Sequence, residues 1–207
     1  METSRSTDPV EHVATPRNRT GGSDPRVRRT RRSLQEAMAS LVEEASPVTM
    51  SAVAQRAGLS RQVLHNHYDS IEPLAAQVLV RRILEGAGHE APPEPETALQ
   101  ALVDAVRRDG LAPFLAFIQR DRGVFLALRE LAHGQTTAML AQVFSGLVSG
   151  HPDIDESAAA DREAALFAAG GMTTLVDAWL HMPAPPDAAA RAALLERYAH
   201  AVFTARR

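Results

Sequence analysis

The chain predicts an all-α fold, and three observations carry that prediction. Of its 207 residues 45% are hydrophobic but only 4% aromatic, a composition that suits helices better than sheets. Apolar residues recur at three- and four-residue spacing over most of the length, with no alternating stretch of useful strand length. Breakers such as "SGHPD" at 149–153 and "PAPP" at 183–186 fall between the periodic stretches.

The elements follow in order. Residues 1–24 are polar, non-periodic and rich in Ser, Thr and Gly, and are expected to form a disordered tail. From Arg26 the pattern turns helical: Leu34, Ala37, Met38, Leu41, Val42 and Ala45 make one apolar stripe, which ends around Glu44 to Ser46, ahead of Pro47. Thr49 caps a short second helix at 50–57, with Met50, Val53, Ala54 and Ala57 inward and Gly58 where a C-cap belongs. Ser60 caps a third helix that runs to about Tyr68. Asp69 or Ser70 caps a fourth, which carries Ile71, Leu74, Ala75, Val78 and Leu79 on one face and runs to about Glu85.

"GAGHEAPPEPE" at 86–96 reads as the clearest linker, and the domain boundary is expected there. This divides the chain into a helix-turn-helix domain at 25–70, a connecting helix at 71–85 and a larger helical domain at 97–207. Further helices are expected at roughly 97–109, 111–120, 122–133, 135–149, 155–182 and 187–206. No internal repeat is visible.

Several function classes are disfavoured. There is no cysteine, so disulfides and thiolate metal sites are excluded and a reducing cytoplasm is the expected home. No apolar run approaches the ~18 residues of a membrane span, and the N-terminus lacks the apolar core of a signal peptide. Glycine-rich phosphate loops, G-x-S-x-G and H-E-x-x-H are all missing, so an enzyme is not expected and no cofactor is assigned.

The net charge of −3 hides a strong asymmetry. Residues 1–25 hold three Arg and four acids, residues 26–82 nine Arg and five acids, and residues 83–207 ten Arg and sixteen acids, giving −1, +4 and −6. A basic block ahead of an acidic remainder points to one part that faces phosphates and another with a different job.

The basic block holds a helix-turn-helix pattern. The first of the two helices needs a small residue at their crossing, and Ala54 supplies it; the turn needs tolerance of positive φ, and Gly58 supplies that. Val53, Leu59 and Leu64 fall where apolar residues lock the pair together. The outward positions of 60–68 are then free to enter a major groove. Candidate DNA contacts are Ser60, Arg61, Gln62, His65, Asn66 and His67 on that element, Thr49, Ser51 and Ser70 at neighbouring helix starts, and Arg28 and Arg29 within the cluster at 26, 28, 29, 31 and 32. Cations at a helix start oppose the helix dipole, which suggests an anionic partner. His65 and His67, two apart on a helix, point to different sides, and a zinc site is not expected.

Residues 28–79 resemble the DNA-binding domain of the TetR family of bacterial transcriptional regulators. The resemblance lies in Thr49, the "AQRAGLS" turn, the "HNHYDS" that closes the recognition helix, and Glu72 and Leu74 after it. It implies a three-helix N-terminal domain, a connecting helix and a helical ligand-binding domain. It also implies a homodimer that reads a palindromic operator in double-stranded DNA and is released by a small-molecule effector. Three positions depart from the family pattern: His65 stands where a tyrosine is usual, Tyr68 where a phenylalanine is usual, and Ile71 where a phosphate-contacting lysine is common.

In the second domain, Gln119, His133, Thr136, Thr137, Met139, Met172, Thr173 and Trp179 are polar or soft groups set in apolar helices, the lining expected of a small-molecule cavity. Each can equally pack between helices, and Trp179 also suits a subunit interface. Two stripes, one with Ala164, Phe167, Ala168, Gly171, Leu175 and Ala178, the other with Leu194, Leu195, Tyr198, Val202 and Phe203, are the expected dimer surface. In the resembling family this helix pair builds a four-helix bundle across the dimer axis. The competing reading is a helical dimer that binds a ligand or protein and whose degenerate helix-turn-helix no longer binds DNA; Ile71 is its main support.

Overall fold

Asp24 opens the first helix: its side chain accepts a hydrogen bond from the Arg26 backbone N–H at 2.8 Å, and Pro25 fills the first helical position, where its missing N–H costs nothing. The computed structural model describes residues 24–92, 94–132, 134–149 and 159–204, so the expected tail lies outside it apart from Asp24. Among the described residues the regular structure is ten α-helices and no strand, as the apolar periodicity predicts.

Helix α1 (Pro25–Glu43) buries Leu34, Ala37, Met38, Leu41 and Val42. It ends in a reversal in which the Ser46 N–H bonds the Leu41 carbonyl at 2.9 Å and the Ala45 N–H bonds that of Val42 at 3.0 Å. This places Ala45 at φ 51°, in the left-handed region that glycine usually occupies.

Helix α2 (Met50–Arg56) is capped by Thr49, whose hydroxyl accepts from the Ala52 N–H at 3.1 Å. The same reversal follows it: the Leu59 N–H bonds the Ala54 carbonyl at 2.9 Å, and here Gly58 takes φ 67°. Helix α3 (Arg61–His67) is capped by Ser60, which accepts from the Val63 N–H at 3.2 Å. Helix α4 (Ile71–Gly86) begins at Ser70, whose side chain makes no capping bond, contrary to the expected cap.

The remaining helices are α5 (Pro95–Asp109), α6 (Ala112–Arg120), α7 (Arg122–Ala132), α8 (Gly134–Ser149), α9 (Ala159–His181) and α10 (Ala188–Thr204). Helix α4 packs on α1, α5, α6, α7 and α8. Helix α8 lies between α5 and α9, and α10 lies on α6 and α9. The buried side chains of both halves form one cluster that runs through α4. The segment after α4 is tied down too: His89 pairs with Asp109 at 2.9 Å and stacks on Phe114, with ring centres 5.7 Å apart.

Gly86, read from sequence as the start of the linker, is the last residue of α4. A Cβ there would come within 2.0 Å of the Phe117 ring of α6. Gly86→Ala is therefore expected to cost roughly 1–3 kcal/mol through overpacking. Ala45→Gly is expected to stabilise by about 0.5–1 kcal/mol, because glycine takes the left-handed conformation without the Cβ clash. Urea midpoints of the two variants, measured beside the parent chain, check both signs.

Candidate nucleic-acid interface

The turn between α2 and α3 is locked from within. Val53 and Leu64 are fully buried, Ala54 nearly so, and Leu59 is half-buried against the same cluster. That inward set fixes which side of α3 faces out. Ser60, Arg61, Gln62, His65 and Asn66 are all exposed. Along this face the Arg61 Nε donates to His65 Nε2 at 3.3 Å, and the Gln62 amide donates to Asn66 Oδ1 at 3.2 Å. The result is a strip of exposed hydrogen-bonding side chains, linked in pairs, along one side of α3.

Thr49 and Ser51 are exposed at the start of α2, and the hydroxyls of Thr49 and Ser60 serve as helix caps. Ser70 is half-buried at the start of α4. The two histidines of α3 part company as their spacing predicts. His65 is exposed, whereas His67 is half-buried, and burial, with the Arg31 charge second, lowers its pKa and favours the neutral ring.

The arginine cluster divides in three. Arg26, Arg28 and Arg29 are exposed. Arg31 is 4% exposed, and Arg32 pairs with Glu36 at 2.9 Å. Of the five cations, Arg31 is thus withdrawn from solvent, and Arg32, itself exposed, makes an ion pair along its own helix. Ile71 is half-buried and packs against the core.

Two clusters that the sequence reading missed hold this surface in place. Arg56 of α2 grips Glu44 with two guanidinium bonds of 2.7 Å, and the Ser40 hydroxyl donates to the same carboxylate at 2.9 Å. Hydrogen bonding from Arg56, then from Ser40, draws the Glu44 carboxyl down from 4.5 to about 2. Tyr68, directly after α3, is 4% exposed and donates its hydroxyl proton to Gln77 Oε1 of α4 at 2.7 Å. Gln35 of α1 donates to the same oxygen at 3.3 Å. Burial pushes the Tyr68 phenol up to about 12. The only sequence signal for this second cluster is a polar residue, Gln35 or Gln77, at the margin of an apolar stripe.

The residues expected to line a cavity in the second domain are dispersed. Thr136, Met139, Met172 and Thr173 are buried in α8 and α9, Thr137 is exposed, and His133 lies outside the described residues. The Thr173 hydroxyl donates to the Ala169 carbonyl of its own helix at 2.8 Å. Two of the set have structural duties instead. Trp179 is fully buried, and its indole N–H bonds the Pro186 carbonyl at 2.9 Å. Gln119 donates to that carbonyl at 3.2 Å and accepts from the Ala188 N–H at 3.0 Å, so it caps α10. Gln119 also borders an open cleft of about 480 Å³ between α6 and the start of α10.

Of the expected dimer residues, Phe167 is 73% and Tyr198 48% exposed, Gly171 is exposed, and Leu175 and Val202 are half-exposed. Leu195 is corrected: it is fully buried in its own chain, because its side of α10 packs on the monomer core.

No family model matches the chain, and no curated protein does either. Solved structures do match. The chain is similar to the TetR family repressor AlkX from Dietzia sp. strain DQ12-45-1b, implicated in biodegradation of n-alkanes, at 22% identity, over 88% of this chain and 97% of that one, with a TM-score of 0.53. It also aligns with NalD of Pseudomonas aeruginosa, the secondary repressor of the MexAB-OprM multidrug efflux pump, at 17% identity, over 86% and 98% of the two chains, with a TM-score of 0.41. From the first of these, the chain has the all-helical fold of a TetR-family repressor.

The Glu44 clamp makes acid stability testable. A carboxyl whose folded-state pKa is depressed stabilises the fold above its ordinary pKa and loses that effect as pH falls through the folded value. The melting-temperature difference between the parent and Glu44→Gln should be small at neutral pH, since the pair is solvent-exposed. It should narrow below pH 4.5 and close near pH 2. A pH-independent difference would mean that the clamp carries no stability.

Proposed function

We propose that the chain is a dimeric, DNA-binding transcriptional regulator of the TetR family, a repressor that a small-molecule effector releases. The observation that carries this reading is the outward face of α3, where Arg61, Gln62, His65 and Asn66 stand exposed on a helix whose other side is locked into the core. Arg28 and Arg29, exposed on the first turns of α1, suit phosphate contacts beside it. Among the described residues no helix is long and apolar enough to cross a membrane.

The dimer reading is supported by α9 and α10. Leu166 and Phe167 are 70% and 73% exposed, large apolar groups on a surface that also presents Gly170 and Gly171. In a dimer, the two recognition helices must sit about one DNA turn, ~34 Å, apart to enter successive major grooves. An effector that prefers another spacing shifts the population away from DNA by its differential affinity for the two states. The packing of Ile71 against the core gives that residue a structural reason that does not require DNA binding to have been lost.

The first experiment is selection of bound fragments from genomic DNA, followed by affinity measurements on the selected duplex. Arg61→Ala or Asn66→Ala should lower affinity for it by about tenfold or more, since a base-edge contact is worth ~1–3 kcal/mol. Arg28→Ala should weaken all duplexes alike and reduce the salt slope by about one. Unchanged affinity in both recognition-helix variants would sink the placement of α3 in the groove. Separately, Phe167→Glu should convert the dimer to a folded monomer in sedimentation equilibrium.

A further inference from the structure

Tyr68, Gln77 and Gln35 bring three helices to one oxygen atom. Tyr68 is the residue directly after the recognition helix, and its backbone N–H still bonds the Leu64 carbonyl at 2.9 Å. Its hydroxyl donates to Gln77 Oε1 of α4, and Gln35 of α1 donates to the same atom. Tyr68 and Gln35 are 4% and 8% exposed; Tyr68 belongs to the same buried cluster as Leu34, Met38, Leu64, Leu74 and Val78, and the buried Arg31 lies near enough for its charge to act on the phenol.

Apolar contacts among such side chains tolerate a helix sliding or rolling slightly, because dispersion and burial are not directional. A buried hydroxyl does not tolerate it, because a donor left without an acceptor in the core is costly. The oxygen of Gln77 therefore selects one position of α3 against α4 among several that the apolar packing would allow. Helix α4 then continues for about 14 Å, at 1.5 Å per residue, from Gln77 to Gly86. There the Phe117 ring of α6 rests on the glycine.

We propose that Gln77 is a positioning residue for DNA recognition. Through the Tyr68 hydroxyl it sets the orientation in which α3 is presented. This inference rests on the DNA-binding function proposed above. It concerns how well the reading face is aimed, not whether the domain folds or meets phosphate.

The test uses the full-length chain, the duplex that the parent selects from genomic DNA, and a random-sequence duplex. Tyr68→Phe and Gln77→Met remove the bond from either side and keep the bulk; Gln77→Glu keeps an acceptor oxygen. Each of the first two should lower affinity for the selected duplex by about tenfold, the loss expected when one buried hydrogen bond no longer fixes the geometry. Affinity for the random duplex and its salt slope should stay within about twofold. The double variant should be no worse than either single, as for two ends of one interaction, and Gln77→Glu should restore affinity to near the parent value.

Unchanged affinity for the selected duplex in both single variants overturns the proposal. So does a parallel fall on both duplexes with loss of cooperative melting, which marks a role in folding alone. If the parent itself selects no fragment, it is the proposed DNA-binding function that has failed.

Discussion

Helix α4 must be buried on nearly every side, and the rest of the structure is arranged around that constraint. Among its sixteen residues Leu74, Ala75, Val78, Leu79, Val80, Ile83 and Leu84 are all at 6% exposure or less, and the helix packs on α1 of the first half and on α5, α6, α7 and α8 of the second. Such a helix is not amphipathic in the ordinary surface sense, because its apolar residues go well round the axis. Neither half of the molecule can be removed without uncovering it. This also explains how an acidic bundle and a basic helix-turn-helix share one core: the junction between them is apolar.

The distribution of arginine follows from the same arrangement. Arg32 pairs with Glu36 within α1 and Arg81 with Glu85 within α4, while Arg56 with Glu44 and Arg82 with Glu43 join the end of α1 to α2 and to α4. Each exposed pair is worth little alone, but together they hold three helices of the head in one relation. Arg26, Arg28 and Arg29 on the first turns of α1 and Arg61 at the start of α3 are exposed to solvent. A net charge of −3 for the whole chain is therefore compatible with a local surface suited to a polyanion.

What was legible in the sequence was whatever short-range chemistry controls. Thr49 and Ser60 cap as expected because an N-cap is decided within three residues, and Gly58 marks the turn because only its φ matters there. Ala45 adopts the same backbone conformation without announcing it, since the reversal after α1 is imposed by packing and not by residue type. The Glu44–Arg56 clamp and the Tyr68–Gln77–Gln35 junction join residues nine to forty-two apart, a distance at which periodicity is silent. Gln119 and Trp179 stood out for being polar or large in apolar helices, and that signal was real. It marked the bonds that close the α9–α10 turn, and in Gln119 also a residue that borders the cleft between α6 and α10. Leu195 failed for a related reason: a stripe along α10 shows that something covers it, not whether the cover is its own chain or another.

That ambiguity resolves differently on α9. Glycine in a helix interior costs about 0.5–1 kcal/mol relative to alanine, and α9 carries two in succession, Gly170 and Gly171. Close packing within the monomer does not account for either, because a Cβ at each position would meet nothing within 4 Å. By contrast, a Cβ at Gly146 of α8 would press on Val103 at 2.8 Å, so that glycine has its explanation inside the chain. Phe167, one turn before the pair, is equally unexplained by the monomer, being 73% exposed. In the dimer proposed above, a second copy laid along α9 would remove both difficulties with one contact. Two glycine faces let the helices approach closely, and the burial of Phe167 and Leu166 offsets the helix-propensity cost of the glycines. The expected dimer thus stands on two departures from what a monomeric helix would favour, and both lie on the same stretch of α9.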